Sequence, residues 1–165
     1  MQYDVIIIGA GPGGIFSAYE LSKLCPDKKI AVFEEGQPLE KRRCPIDGKT
    51  VKHCIGCPTC AIMNGFGGAG AFSDGKYNLT NDFGGTLYEY IGKKQAMELM
   101  HYGDEINFSH GGENTKLYST ANSAFKTRCL QCGLHLLDAS VRHLGTDINF
   151  VVLKNLFAEL EPKVD

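Results

Sequence analysis

Three cysteines on a strict two-residue spacing stand beside a histidine in residues 52–60, which read KHCIGCPTC. Thiolates repeated at this interval can hold a soft metal, act as a redox pair, or serve as small structural groups. An iron–sulfur cluster or a tetrahedral zinc ion normally takes four thiolates, and Cys44, followed by Pro45, is the remote fourth ligand for Cys54, Cys57 and Cys60. Cys129 and Cys132 form a further CxxC, but pairing them with Cys57 and Cys60 would span a far longer gap than zinc ribbons use. We expect a metal or cluster on Cys44, Cys54, Cys57 and Cys60, with a redox thiol and reduced structural cysteines as the alternatives.

The second set of chemically suggestive residues is glycine, 20 of 165, grouped at residues 9–14, 65–70, 84–85 and 111–112. Gly9, Gly11 and Gly14 follow the GxGxxG spacing of a dinucleotide-binding turn. In that pattern the first glycine makes the turn, the second lets backbone approach a pyrophosphate, and the third lets helix and strand pack closely. By chance alone a chain this rich in glycine would contain about 0.3 such matches, and Gly65, Gly67 and Gly70 fit as well, so the spacing by itself discriminates little.

The flanking elements discriminate. Tyr3 to Ile8 is a short β-branched run, as expected of a buried parallel strand. Ile15, Ala18, Leu21 and Leu24 then fall on one face of a helix that ends before Pro26, and Lys29 to Phe33 predicts a second strand closing on Glu34. An acid at that position accepts hydrogen bonds from ribose hydroxyls and repels a ribose phosphate, which disfavours NADP. Residues 61–64, before the second glycine match, make a poor strand. Residues 3–34 are therefore the expected dinucleotide-binding unit.

The words YDVIIIGAGPGG and IAVFEEG resemble the start of the glutathione-reductase-like flavoproteins. Further on, CPIDGKTVKHCIGCPTC, GFGGAGAFSDGKYNLTNDFGG and VRHLGTDINFVVLKN resemble the N-terminal part of a bacterial and archaeal family of FAD-dependent dehydrogenases in that superfamily. The resemblance implies that FAD is the cofactor, bound by Gly9, Gly11, Pro12, Gly13, Gly14, Glu34 and Glu35. It also implies that Gly67, Gly68, Ala69, Gly70, Ser73 and Asp74 lie along the flavin half. The implied fold is α/β: a Rossmann-like βαβ unit with a long Gly/Cys-rich insertion over 35–85 and additional helices.

Leu153, Leu156, Phe157 and Leu160 share a helical face after Thr146, a candidate N-cap, with Pro162 as the stop. In the resembled family such a helix precedes a further strand of the sheet. The expectation is a single FAD-binding domain over 1–165 that is incomplete, with the remainder of a larger flavoprotein as a partner alongside a small-molecule or protein redox substrate. Disulfide reductases of the superfamily carry a redox cysteine pair in a comparable part of the chain, which keeps a flavin-linked thiol oxidoreductase as an alternative. A non-catalytic nucleotide- or metal-binding fragment is the other.

Remaining motifs narrow the field. The five histidines form no HExxH pair and no GxSxG marks a nucleophilic serine, so hydrolase chemistry has no support. Ala96, Leu99, Met100, Gly103 and Ile106 read as a core helix stripe; Ala121, Ala124, Phe125, Cys129 and Cys132 read as another, with both thiols buried. Arg142 and His143, with Gly145, Thr146 and Asp147, match the family without indicating a reaction. Formal charge is −2, and the basic triplet Lys41, Arg42 and Arg43 reads as a solvated loop, so neither nucleic acid nor membrane is an expected partner. No apolar run approaches the roughly 18 residues of a membrane span, and clustered thiols favour a reducing, cytoplasmic setting.

Overall fold

The computed structural model describes residues 2–165. It is mixed α/β, and the chain read above as one domain packs as two compact units: residues up to Ser73 together with Leu153–Asp165, and Asp74–Val152. The last helix is shared between them.

In the first unit, β1 (Val5–Ile8) pairs in parallel with β2 (Ile30–Phe33), in the register Val5↔Ile30 to Ile8↔Phe33. Between them runs α1 (Pro12–Leu24), with Gly11 as N-cap and Pro12 in the first turn, where a missing N–H costs nothing. Its buried face is Ile15, Ala18 and Tyr19. The last helix, α5, spans Gly145–Leu160, two residues earlier than a Thr146 cap predicts. Within this unit its C-terminal half contributes Leu156 and Leu160 to the core, and Phe157 meets Phe66 edge to face at 5.0 Å. Asp165 then lies along β2, donating to the Ile30 carbonyl at 3.0 Å and accepting from the Val32 amide at 2.8 Å, as a parallel neighbour would.

The second unit holds an antiparallel sheet in the order β3 (Lys76–Leu79), β5 (Ser140–His143), β4 (Leu117–Ser119). Two short helices, α2 (Leu87–Ile91) and α4 (Phe125–Gln131), accompany the longer α3 (Lys93–Asn107), whose Ala96 and Ile106 are buried. The helix predicted over 96–106 is thus present, but its apolar stripe is only partly core: Leu99 is 52% exposed, and Asp104 and Asn107 share the buried face with Ala96 and Ile106. The one over 121–132 is not a core face: α4 has only seven residues and buries none, Phe125 is 63% exposed, and Cys132 is exposed. An α-helix of two turns offers too little apolar area to hold itself against a sheet.

A buried ion pair joins helix to sheet inside this unit. Arg142 on β5 donates from Nε to Asp104 Oδ1 at 2.6 Å and from Nη2 to Oδ2 at 2.8 Å, while Nη1 reaches the Thr115 carbonyl at 3.0 Å. The guanidinium also lies over the Phe108 ring. Hydrogen bonding to the Asp104 carboxylate raises the Arg142 pKa above its ordinary value despite burial. Nearby in the same unit, the Tyr77 hydroxyl donates to Asn149 Oδ1 at 2.7 Å. Burial, reinforced by the Asp104 charge, pushes the Tyr77 pKa up, so this phenol keeps its proton. Arg142, which the sequence left without a role, is a structural residue.

Candidate functional site

The glycine turn between β1 and α1 behaves as its spacing requires. Gly9 has φ +95°, a conformation side chains disfavour, and its amide donates to the Phe33 carbonyl at 2.7 Å, tying the turn to the end of β2. At Gly14, a Cβ would stand 1.9 Å from the Gly9 carbonyl oxygen, so helix and turn touch there. At Gly11 and Gly13 an added Cβ would meet nothing within 4 Å. The turn is thus packed from beneath and open above. The first amides of α1 have no carbonyl one turn back to accept them, and they are the donors a phosphate would use.

The second glycine-rich stretch comes to the same place. Gly67 donates its amide to the Ala10 carbonyl at 2.8 Å, and a Cβ on Gly68 would stand 3.1 Å from the Gly11 Cα and 3.4 Å from Pro12 Cδ. Gly70 also lies beside Pro12. Gly68 to Phe72 form a short 3-10 turn, in which Ala69 is exposed, and the Ser73 amide donates back to the Gly70 carbonyl. Two segments more than fifty residues apart in sequence therefore line one loop. Asp74 is different: it opens the second unit and its carboxylate pairs with Lys76 at 2.7 Å, both side chains being exposed.

Glu34 is engaged with the backbone. Its Oε2 accepts the Ala10 amide at 2.7 Å, and its Oε1 accepts the amides of Gly36 at 2.9 Å and Gly65 at 2.8 Å. A carboxylate offers about four acceptor positions, so about one is left for a ribose hydroxyl. Glu34 thus ties the first glycine turn to the second before it touches any ligand. Its neighbour Glu35 is exposed and accepts from Asn64 Nδ2.

Desolvation is the largest single influence on the Glu34 pKa and raises it, but the three amide donors and the Arg42 charge together outweigh it and hold the carboxyl below its ordinary 4.5. A depressed folded-state pKa means that Glu34 contributes stability in full above the ordinary value, and that this is lost as pH falls through the folded value. Glu34→Gln should remove that acid-side dependence and cost about 1–3 kcal/mol, because the amide NH₂ faces backbone donors. Urea midpoints of both proteins across pH 3–7 check this; parallel curves would show that Glu34 is not the linked group.

Arg42 was read from sequence as part of a solvated basic run, and the structure corrects this. Lys41 and Arg43 are exposed, but Arg42 is only 3% accessible. Its Nε donates to the Ala61 carbonyl at 2.9 Å, Nη2 to Ile62 at 2.7 Å and Nη1 to Phe66 at 2.7 Å, and the guanidinium lies over Phe72. Three otherwise unpaired carbonyls, presented by a chain that turns back on itself, repay the burial of this charge. Nothing local in residues 41–43 signals it.

The cysteines are not assembled. All are free thiols; Cys44 and Cys54 are exposed and Cys57 and Cys60 half-buried. Among the described residues no three His, Cys, Asp or Glu side chains stand together as a metal would need. As placed, Cys44, Cys54, Cys57 and Cys60 do not form a ready-made centre.

Alongside the turn lies a cleft of about 290 Å³, lined by apolar residues including Ala10, Ile15, Val32, Phe66 and Phe157 and by the acidic residues Glu34, Glu161 and Asp165. That volume is at the small end of ligand pockets and suits a nucleoside, not a whole dinucleotide.

No helix of the described residues is long and apolar enough to cross a membrane. No protein-family model matches the chain, and no solved structure matches it. A 42-residue stretch, 26% of the chain, is 43% identical to an uncharacterised protein of Acanthamoeba polyphaga mimivirus, of which it spans 8%.

Proposed function

We propose that the first unit is a Rossmann-like FAD-binding unit and that the chain serves as the FAD-binding portion of a dehydrogenase-like oxidoreductase. The observation that carries this reading is the convergence of the two glycine-rich segments on the amino end of α1: open above Gly11 and Gly13, walled by Gly68, and tied by Glu34. A loop of bare backbone beside a helix N-terminus favours a pyrophosphate, and the cleft next to Glu34 has the size of the nucleoside attached to it. Bound FAD would supply hydride or electron transfer at its ring. The residues of this chain supply position: amides of the α1 first turn toward the phosphates, Glu34 toward the ribose, and Gly67 to Ser73 along the flavin half. The substrate is a small-molecule or protein redox partner that no residue here specifies.

Titration of flavin fluorescence with the purified chain tests the reading. FAD should be quenched with one-to-one stoichiometry and FMN, lacking the adenosine half, bound at least about 100-fold more weakly, a difference near 2.7 kcal/mol. Equal affinity for FMN and FAD, or no quenching of either, would overturn it.

A further inference from the structure

We propose that Cys44, Cys54, Cys57 and Cys60 close around one thiophilic divalent cation of the zinc class, which orders the loop they occupy. Residues 43–60 contain no helix or strand and no buried residue. A segment that long with no core of its own needs another source of order. Its ends, however, are already joined. Arg42 immediately precedes the loop, and its guanidinium grips the carbonyls of Ala61 and Ile62 immediately after it. Cys44 and Cys60 are each within two residues of that clamp from opposite sides.

The costly part of assembling a four-ligand site is bringing distant residues together, and here Arg42 has done so. What remains is local. Gly56, between Cys54 and Cys57, has φ +64° and open space where a Cβ would be, a backbone freedom that lets those two thiols be brought to one side. The Cys60 carbonyl accepts the amides of Met63 and Asn64 at 3.1 and 2.8 Å, which anchors the third thiol of the run. Four thiolates around a divalent ion carry net charge −2, and Arg43, Lys49 and Lys52, less Asp47, supply +2 on the same segment. The thiols do not stand together beforehand, so the ion gathers them, folding and binding being one event. A single ion suits a solvent-facing loop in which two of the four cysteines are exposed.

The test uses the full chain, reduced and metal-free, without flavin, so its result is independent of the FAD reading. Cobalt(II) is added first. One equivalent should produce thiolate-to-cobalt charge-transfer absorption with tetrahedral d–d bands, and one equivalent of zinc should abolish both. Cys54→Ser/Cys57→Ser should lose the bands, whereas Cys129→Ser/Cys132→Ser should keep them, with circular dichroism confirming that both variants fold as the parent does. Zinc should also slow tryptic cleavage at Lys49 and Lys52 at least tenfold. Absence of charge transfer at one equivalent, persistence of the bands in Cys54→Ser/Cys57→Ser, or anaerobic uptake of iron and sulfide without retention of a divalent ion would each overturn the proposal.

Discussion

Gly14→Ala is expected to cost about 3 kcal/mol or more and to abolish FAD binding with it. The new methyl would sit 1.9 Å from the Gly9 carbonyl oxygen and 3.0 Å from its carbon, both backbone atoms that cannot rotate away. Either α1 lifts from the turn, exposing Ile15 and Ala18, or the turn breaks its bond to Phe33; overpacking of this kind typically costs 1–3 kcal/mol and occasionally more. A fall of roughly 6–12 °C in Tm is the corresponding readout for a chain of this size. Gly11→Ala is the informative contrast. Its φ of −74° is open to any residue and its Cβ would meet nothing within 4 Å, so stability should change by no more than about 0.5 kcal/mol. The same methyl would occupy the space proposed for the pyrophosphate and should weaken FAD about tenfold or more. Unchanged FAD affinity in Gly11→Ala would remove the phosphate from this turn. A wild-type Tm in Gly14→Ala would show that the turn and helix do not need their close contact.

The second large effect lies in the other unit. Asp104→Ala should destabilise it by about 3–5 kcal/mol, since the Arg142 guanidinium would stay buried without its carboxylate. The pair has 10% and 7% accessible side chains, and the rest of the guanidinium is engaged by Thr115 and Phe108, so the charge left behind would remain largely shielded from solvent. Removing both charges should be far milder. Asp104→Leu/Arg142→Met replaces the pair with apolar groups, and a buried ion pair exchanged in this way is often neutral, because the desolvation penalty disappears along with the attraction. Denaturant midpoints of the two variants decide between these accounts: equal losses would mean that Asp104 acts through its packing and not its charge.

Much of the first unit could be read from the chain because its signals are local. A β-branched run favours a strand, Pro12 suits a first helical turn and Gly9 suits a positive φ; burial was less legible, since Ile6 and Ile8 of β1, Leu24 of α1 and Leu99 of α3 are each more than half exposed. The α/β character follows from those elements alone. The antiparallel sheet could not be read the same way. KYNL, LYS and SVRH are three- and four-residue stretches without a usable alternation, and they become strands only when Lys76 meets His143 and Leu117 meets Arg142. Their hydrogen bonds are supplied by partners tens of residues away, so no local window contains the cause.

The candidate site divides along the same line. Residue type and spacing determined which groups could carry chemistry: the glycines of the first turn, the acid after β2, and four thiols in one short run. Tertiary structure decided what those groups face. It set Gly68 against Gly11, gave Glu34 three amides to hold, and buried Arg42 under carbonyls that exist as acceptors only because the chain returns at Ala61. A charged side chain's fate depends on whether its burial is matched by hydrogen bonds, and that balance is struck between segments, where the amino-acid order alone does not reach.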